Sequence, residues 1–227
     1  MEDMSIYLQP TEFFNFNRKQ VSRKAFEITK DLMTEKEKAT ALFYWVRDEI
    51  KYNMFAYYPK IKANLKSSVT YRRKYGFCMS KAVLLSTMAR AISIPARIHM
   101  VDIINHKVSQ RVVDLMGTKA FHCHAYSELY LNGKWIKATP VFDKETCFKG
   151  GFFPMVEFDG ENDALFATHD IDGNMFVEYI GDYGNYSDVP IKKIDQIFTE
   201  KYPKWYNNDL NFLKSIPKKN EPLSLNK

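Results

Sequence analysis

The apolar positions of the chain follow one period in its first half and another in its second. Val21, Ala25, Ile28 and Leu32 recur at helical spacing, and Ala39, Leu42, Phe43, Val46 and Ile50 do so again after Thr34-Glu35-Lys36-Glu37. Two helices are predicted, the second opened by a capping box in which the Thr34 hydroxyl and the Glu37 carboxylate each satisfy a backbone N–H. Tyr52 to Tyr75 is polar and Tyr-rich, holds Pro59, shows no clean period and reads as a loop region with at most a helical turn. From Cys78 a stripe of Cys78, Ala82, Leu85, Ala89 and Ile92 is widened by Val83, Leu84 and Met88 until most of the helix is apolar, which assigns it to a core. Pro95 disfavours helical geometry at Ile94 and ends it.

A strand is predicted over Arg97 to Ile104, then a polar stretch through Lys119. Phe121 to Thr139 reads as a hairpin around Asn132-Gly133, the pair favoured in two-residue type I′ turns. If Leu131 faces Lys134, then Tyr130 faces Trp135, Glu128 faces Lys137 and Tyr126 faces Thr139. Alternation then sets His122, His124, Tyr126, Trp135, Lys137 and Thr139 on one face. Pro140 falls opposite Ala125 with no N–H to give, so the ladder is expected to end or bulge there. Short strands are expected at 154–158, 164–168 and 175–180, and a last helix at about 190–201 capped by Ser187 or Asp188. Helices first and a hairpin-rich sheet later make an α+β fold in which a central buried helix packs on an antiparallel sheet.

At 227 residues, with 45% hydrophobic and 15% aromatic residues, the chain can bury a real core, and a single domain over 1–213 with a flexible tail at 214–227 is expected. The net charge of +6 does not point to nucleic acid. Between Lys214 and Lys227 four lysines against one glutamate hold half of the excess, and the rest is spread without the basic stripe that phosphate binding requires. No apolar run reaches the roughly 18 residues of a membrane span, and the start lacks a secretory layout, so a cytoplasmic protein without a membrane partner is expected. Three cysteines without a CxxC pair exclude a disulfide framework and a four-thiolate zinc site. His122-Cys123-His124 is not read as a metal site, because alternation turns Cys123 to the opposite face. Asp170-x-Asp172-Gly173-Asn174 has its glycine at the wrong offset for a calcium loop and reads as a turn. No metal and no cofactor is expected.

Cys78 is the candidate nucleophile, since a thiol in the first turn of a helix feels unpaired N–H groups that favour thiolate and can also hold an oxyanion. His124, on a strand beside a tight hairpin, is the candidate base. The plain alternative is a core cysteine, a common fate of buried thiols. Tyr126 and Trp135, on the His124 face, are candidate walls of a substrate cleft or else a cross-strand aromatic contact. His106, in the loop after a strand, is a candidate substrate-side polar group or else a solvated histidine.

Three segments bear on this choice: Gly76-Phe77-Cys78-Met79-Ser80-Lys81-Ala82, the run Arg90-Ala91-Ile92-Ser93-Ile94-Pro95-Ala96-Arg97, and His124-Ala125-Tyr126-Ser127-Glu128-Leu129-Tyr130-Leu131-Asn132-Gly133-Lys134-Trp135. In order and spacing they resemble the core of the transglutaminase-like superfamily, whose fold is papain-like. The resemblance covers about 39–143, and a C-terminal extension at about 146–205 resembles one in a prokaryotic-looking branch. It implies a cysteine that attacks an amide or acyl carbonyl through a thioester, a histidine that shares its proton, and an aspartate that orients the histidine. Cys78 and His124 match the first two. Where the family has aspartate before a proline, this chain has Thr139-Pro140, so the orienter is Thr139, or Asp143 by continuation of the register, or absent. The implied function is acyl transfer or amide hydrolysis on a protein or peptide substrate. The alternative is a catalytically weak or inactive domain that binds a peptide or protein in the same cleft.

Overall fold

The computed structural model describes residues 3–54, 56–57 and 61–203. The chain opens with a 3₁₀ turn (Met4–Tyr7), α1 (Lys19–Thr29) and α2 (Glu35–Glu49), then a two-residue strand β1 (Lys51–Tyr52), a 3₁₀ turn (Lys62–Leu65), α3 (Ser67–Arg73) and β2 (Tyr75–Gly76). It continues through α4 (Cys78–Ala91), β3 (Ala96–Asn105), α5 (Gln110–Met116), β4 (Ala120–Leu131) and β5 (Lys134–Ala138), and closes with α6 (Lys144–Gly150), β6 (Val177–Tyr186) and α7 (Ile191–Lys201). Strands β5-β4-β3-β6 form an antiparallel sheet in that order, and β1 pairs with β2 in parallel. The fold is α+β, helices packed on an antiparallel sheet.

The Thr34 capping box forms as the pattern predicts. Helix α4 packs between α1, α2 and α3 on one side and β3 and β4 on the other. Every residue from Met79 to Arg90 is buried, and the polar ones, Ser80, Lys81, Ser86, Thr87 and Arg90, each donate to a backbone carbonyl. Ser127 on β4 donates to the carbonyl of Ala82 at 2.9 Å, tying helix to sheet. Lys81 is fully buried and donates to the carbonyls of Arg47 (2.9 Å) and Ile50 (2.5 Å), closing the C-terminal end of α2. Burial brings its ammonium down to about 7, and the nearby charges of Asp143 and Asp48 oppose that fall.

The hairpin keeps the predicted register, Leu131 opposite Lys134 and Tyr130 opposite Trp135, with Asn132 (φ 51°) and Gly133 (φ 82°) both left-handed as a type I′ turn requires. The ladder ends at Ser127 and Ala138. On the other edge of β5 Ala164 bridges Ala138, its N–H donating to the Lys137 carbonyl (2.8 Å) and its carbonyl accepting from the Thr139 N–H (2.9 Å).

Other expectations are corrected. The stretch read as loop between Tyr52 and Tyr75 holds β1, α3 and β2, the polar stretch before Lys119 holds α5, and α6 follows Asp143. These are seven-residue helices, too short for a period to show; α3 stops at Lys74 (φ 58°) and α6 at Gly151 (φ 64°). No strand forms at 154–158, 164–168 contributes an isolated bridge of Ala164 with Ala138, and the expected strand at 175–180 extends to Tyr186. Helix α7 is preceded by Pro190, not capped by Ser187 or Asp188; the Asp188 carboxylate accepts instead from the Thr11 hydroxyl (2.7 Å). The tail at 214–227 lies outside the described residues. Among the described residues no helix is long and apolar enough to cross a membrane.

Arg97 and Glu128 face each other across β3 and β4 and form a buried ion pair at 2.5 Å. His99 Nδ1 reaches the other oxygen of the same carboxylate (2.8 Å), and the Arg97 guanidinium lies 3.9 Å from the Trp135 ring centroid. Removing one partner of a buried pair leaves the other charge uncompensated, at a cost of about 3–5 kcal/mol. Glu128→Ala is therefore expected to lower the unfolding free energy from urea titration by that amount without changing the m-value; a stability within ~1 kcal/mol of the parent would contradict this account.

Candidate active site

The site forms where the hairpin stops. In a continued ladder Ala125 would meet Pro140, but the ladder stops at Ser127 and Ala138, before that pair. Cys78, the first residue of α4, lies at this edge, where the backbone N–H groups of Ala125, Met79 and Cys78 itself favour its thiolate against burial. Gly76 makes the approach to the helix, since a Cβ there would sit 2.5 Å from Ser80 Oγ. That hydroxyl accepts from the Phe77 N–H (3.0 Å) and closes the first turn. The residue is half-buried and packs against both core clusters that meet at this edge.

His124 lies one residue before the amide that holds the sulfur. Its imidazole is buried against Phe166 (centroids 5.5 Å), and Nε2 has no hydrogen-bond partner. Thr139 is fully buried, and its Oγ1 is likewise without a partner. Continuing the hairpin register past Ala138 makes Thr139 a diagonal neighbour of His124, within side-chain reach. A nitrogen and a hydroxyl, each able to donate or accept, are two of the three orphaned buried side-chain atoms among the described residues.

Burial dominates the electrostatics. It raises the Cys78 thiol to about 11 against the pull of the Ala125, Met79 and Cys78 amides, and it lowers His124 to about 3. Near neutral pH the thiol and the imidazole are both uncharged, and His124 Nε2 makes no hydrogen bond to Cys78. Tyr52 shares the site: burial, then the neighbouring charge positions of Cys78 and Tyr202, push its phenol well above the usual range.

The other candidates are engaged elsewhere. The Asp143 carboxylate caps α6, accepting from Thr146 N (3.2 Å) and Oγ1 (2.8 Å) and from the Tyr52 N–H (2.8 Å). Tyr126 is buried and stacks on His99 (5.0 Å) in the core layer that also touches Cys78. Trp135 packs edge-on against Tyr7 (5.0 Å) and Tyr130 (5.3 Å) near the closed end of the hairpin. His106 pairs with Glu178 at the end of β3. His122 does not share the His124 face as strict alternation required, because an extra residue at Cys123 breaks the period; its Nδ1 meets Asp102 Oδ2 at 2.8 Å. Among the described residues no group of three or more His, Cys, Asp or Glu side chains is arranged to hold a metal ion.

Sequence reasoning missed the Ala125 amide as a ligand of sulfur, although Pro140 opposite it was the signal. It also missed Phe166 and Asp102, for which no spacing gave notice.

The sequence model of the transglutaminase-like superfamily matches residues 22–140. Among solved structures, a "putative cysteine protease" from Cytophaga hutchinsonii aligns with 18% identity and a TM-score of 0.48, covering 80% of this chain and 56% of that one. A "putative protease" from Parabacteroides distasonis aligns with 14% identity and a TM-score of 0.38 (60% and 25%), and a crystal structure of a TGase with 20% identity and a TM-score of 0.38 (55% and 31%). The chain thus spans about half of the first of these and less of the others. No curated protein matches.

Both shifts set a pH dependence. As pH falls below the ordinary histidine value of 6.5, an unfolded chain takes up a proton that native His124 refuses until about 3, so stability declines. As pH rises past the ordinary thiol value of 9.0, an unfolded chain releases a proton that native Cys78 keeps until about 11, and stability declines again. Alkylation of Cys78 by iodoacetamide, followed by peptide mass spectrometry, is expected to climb through one ionisation near 11 with no plateau in the acid range. An alkylation plateau between about pH 4 and 8 would reveal a preformed thiolate–imidazolium pair and refute the neutral couple.

Proposed function

The chain belongs to the transglutaminase-like superfamily, and from that premise we propose that it is a cysteine-dependent enzyme of acyl transfer or amide hydrolysis acting on a protein or peptide. Cys78 is the nucleophile, His124 the general base and then the acid, and Thr139 the residue that positions His124. The observation that carries this reading is the seat of the Cys78 thiol: at a helix start, on the open edge of β4, one residue from an imidazole that no structural hydrogen bond occupies.

Because the couple rests neutral, the proton moves during attack. A nitrogen of His124 takes the thiol proton as Sγ bonds to the carbonyl carbon, and the carbonyl π pair moves to oxygen. The Cys78 N–H at the helix start faces the developing oxyanion. The C–N bond then breaks, the leaving amine receives the proton from His124, and a thioester remains on Cys78. Water, or a second amine, attacks the thioester with His124 as base and regenerates the thiol. Thr139 can fix the tautomer of His124 through its hydroxyl but adds no charge to stabilise imidazolium. That deficit, together with a thiol raised to about 11, favours the second reading, a peptide-binding domain with slow or no turnover.

p-Nitrophenyl acetate tests the chemistry without knowledge of the substrate. Acetylation is expected on the peptide that contains Cys78, to be abolished in Cys78→Ala and slowed by about 10²-fold or more in His124→Ala. Acetylation at another residue, or a His124→Ala protein as fast as the parent, would favour the binding reading. Thr139→Asp is expected to raise the pKa of His124 and to speed acetylation by about tenfold, while Thr139→Asn, which adds no charge, does not. Equal rates for the two variants would show that charge at this position is irrelevant.

A further inference from the structure

The strand that carries His124 is irregular at the residue before it. Val101 pairs with His124 and Ile103 with Phe121, so His122 and Cys123 together stand against Asp102 alone. This is a β-bulge, with Cys123 at φ 61° in the left-handed region. A side-chain-bearing residue there costs about 1–2 kcal/mol, and it persists where its surroundings over-determine it.

The surroundings are on view. Asp102 Oδ1 accepts from the Cys123 N–H at 3.0 Å, and Oδ2 accepts from the Tyr183 hydroxyl at 2.7 Å and meets His122 Nδ1 at 2.8 Å. Gly181, opposite Asp102 on β6, leaves the carboxylate room: a Cβ there would lie 3.3 Å from Oδ2. From the α7 side the Tyr202 hydroxyl accepts from the His122 N–H (2.6 Å) and donates to the Ala120 carbonyl (3.0 Å). One carboxylate therefore binds both residues of the bulge, and the next two residues are the imidazole and the amide that holds the thiol.

We propose that Asp102 is a positioning residue of the Cys78–His124 couple, acting through the Cys123 bulge. The proposal rests on the catalytic reading above. Its physical basis is parity. The hairpin fixes the register of β4 from its turn downward, while β3 fixes it from Phe121 upward, and the mismatch of one residue must be absorbed somewhere between. Absorbed at Cys123, it leaves His124 on the face of Tyr126 and beside Thr139. Moved two residues toward the hairpin, it would set His124 and Ala125 together against Met100, turn His124 to the opposite face and draw the Ala125 amide off Cys78. Asp102 gives the Cys123 site its three hydrogen bonds and thereby selects it.

Asp102→Asn keeps the size of the side chain and an acceptor for the Cys123 N–H, but sets an amide NH₂ against His122 or Tyr183. Tyr183→Phe removes one bond and leaves the bulge held by the other two. In the full chain, Asp102→Asn is expected to slow acetylation of Cys78 by p-nitrophenyl acetate by about 10–100-fold, chiefly in kcat, and to shift the imidazole ¹⁵N signals of both His122 and His124. Tyr183→Phe is expected to stay within about threefold of the parent, with the His124 signals unmoved. A merely stabilising aspartate would lower Tm without altering the kcat-to-KM split of the folded protein or the His124 spectrum. Native acetylation together with unmoved His124 signals in Asp102→Asn overturns the proposal, provided Cys78→Ala is inactive. Should Cys78→Ala retain acetylation, the catalytic reading fails instead, and the His124 signals alone then decide whether Asp102 holds the strand.

Discussion

The site depends on one hydrogen bond that the hairpin does not make. Ala125 would donate to the opposite strand if the ladder continued, and Pro140 at that place makes continuation unprofitable, since it has nothing to return. The ladder stops at Ala138, and the Ala125 amide acts on the sulfur of Cys78, favouring its thiolate. A buried N–H must find an acceptor, so the end of a sheet and the start of a helix are joined at a thiol. Gly76, the Ser80 hydroxyl and the buried Lys81 serve that junction: the first two let the chain enter α4 at this angle, and the third fastens α4 to the end of α2, from which β1 and Tyr52 lead to the thiol.

Burial then decides the protonation state. The family match ends at residue 140, yet the layer over His124 comes from beyond it: Phe166 lies on the imidazole and in turn contacts Phe142 (5.1 Å) and Phe176 (6.1 Å). These rings offer no polar group to a charged imidazole, which is why its pKa falls so far. Residues beyond the family match thus supply the apolar cover of His124.

Much of this was legible in the sequence, and the omissions have physical causes. The long amphipathic helices, the apolar α4, the Asn132-Gly133 turn and the hairpin register follow from periodicity over many residues, where local preference and burial agree. Helices α3, α5 and α6 span seven residues each and owe their existence to tertiary packing and to caps such as Asp143, which the sequence reading assigned a different task. His122 was put on the wrong face because alternation cannot reveal a bulge, and the bulge arises from a carboxylate twenty residues earlier. Trp135 shares the parity of His124, but its ring turns to Arg97 and Tyr7. Parity assigns a face and leaves open the position along it.

A last step concerns where this chain commits its carboxylates. Asp143 caps α6 and holds the Tyr52 amide, Asp102 binds both residues of the bulge, and Glu128 neutralises Arg97 while meeting His99. Each satisfies two or more groups that would otherwise be buried and unpaired, and none hydrogen-bonds to His124. A carboxylate at Thr139 would lie fully buried with a single imidazole for company, and its desolvation would be offset only when that imidazole is protonated. With a hydroxyl in its place the couple rests uncharged and stable, and the cost of charge separation is deferred to the moment of attack. On the catalytic reading proposed above, such a site rests uncharged and its nucleophile is activated anew in every encounter.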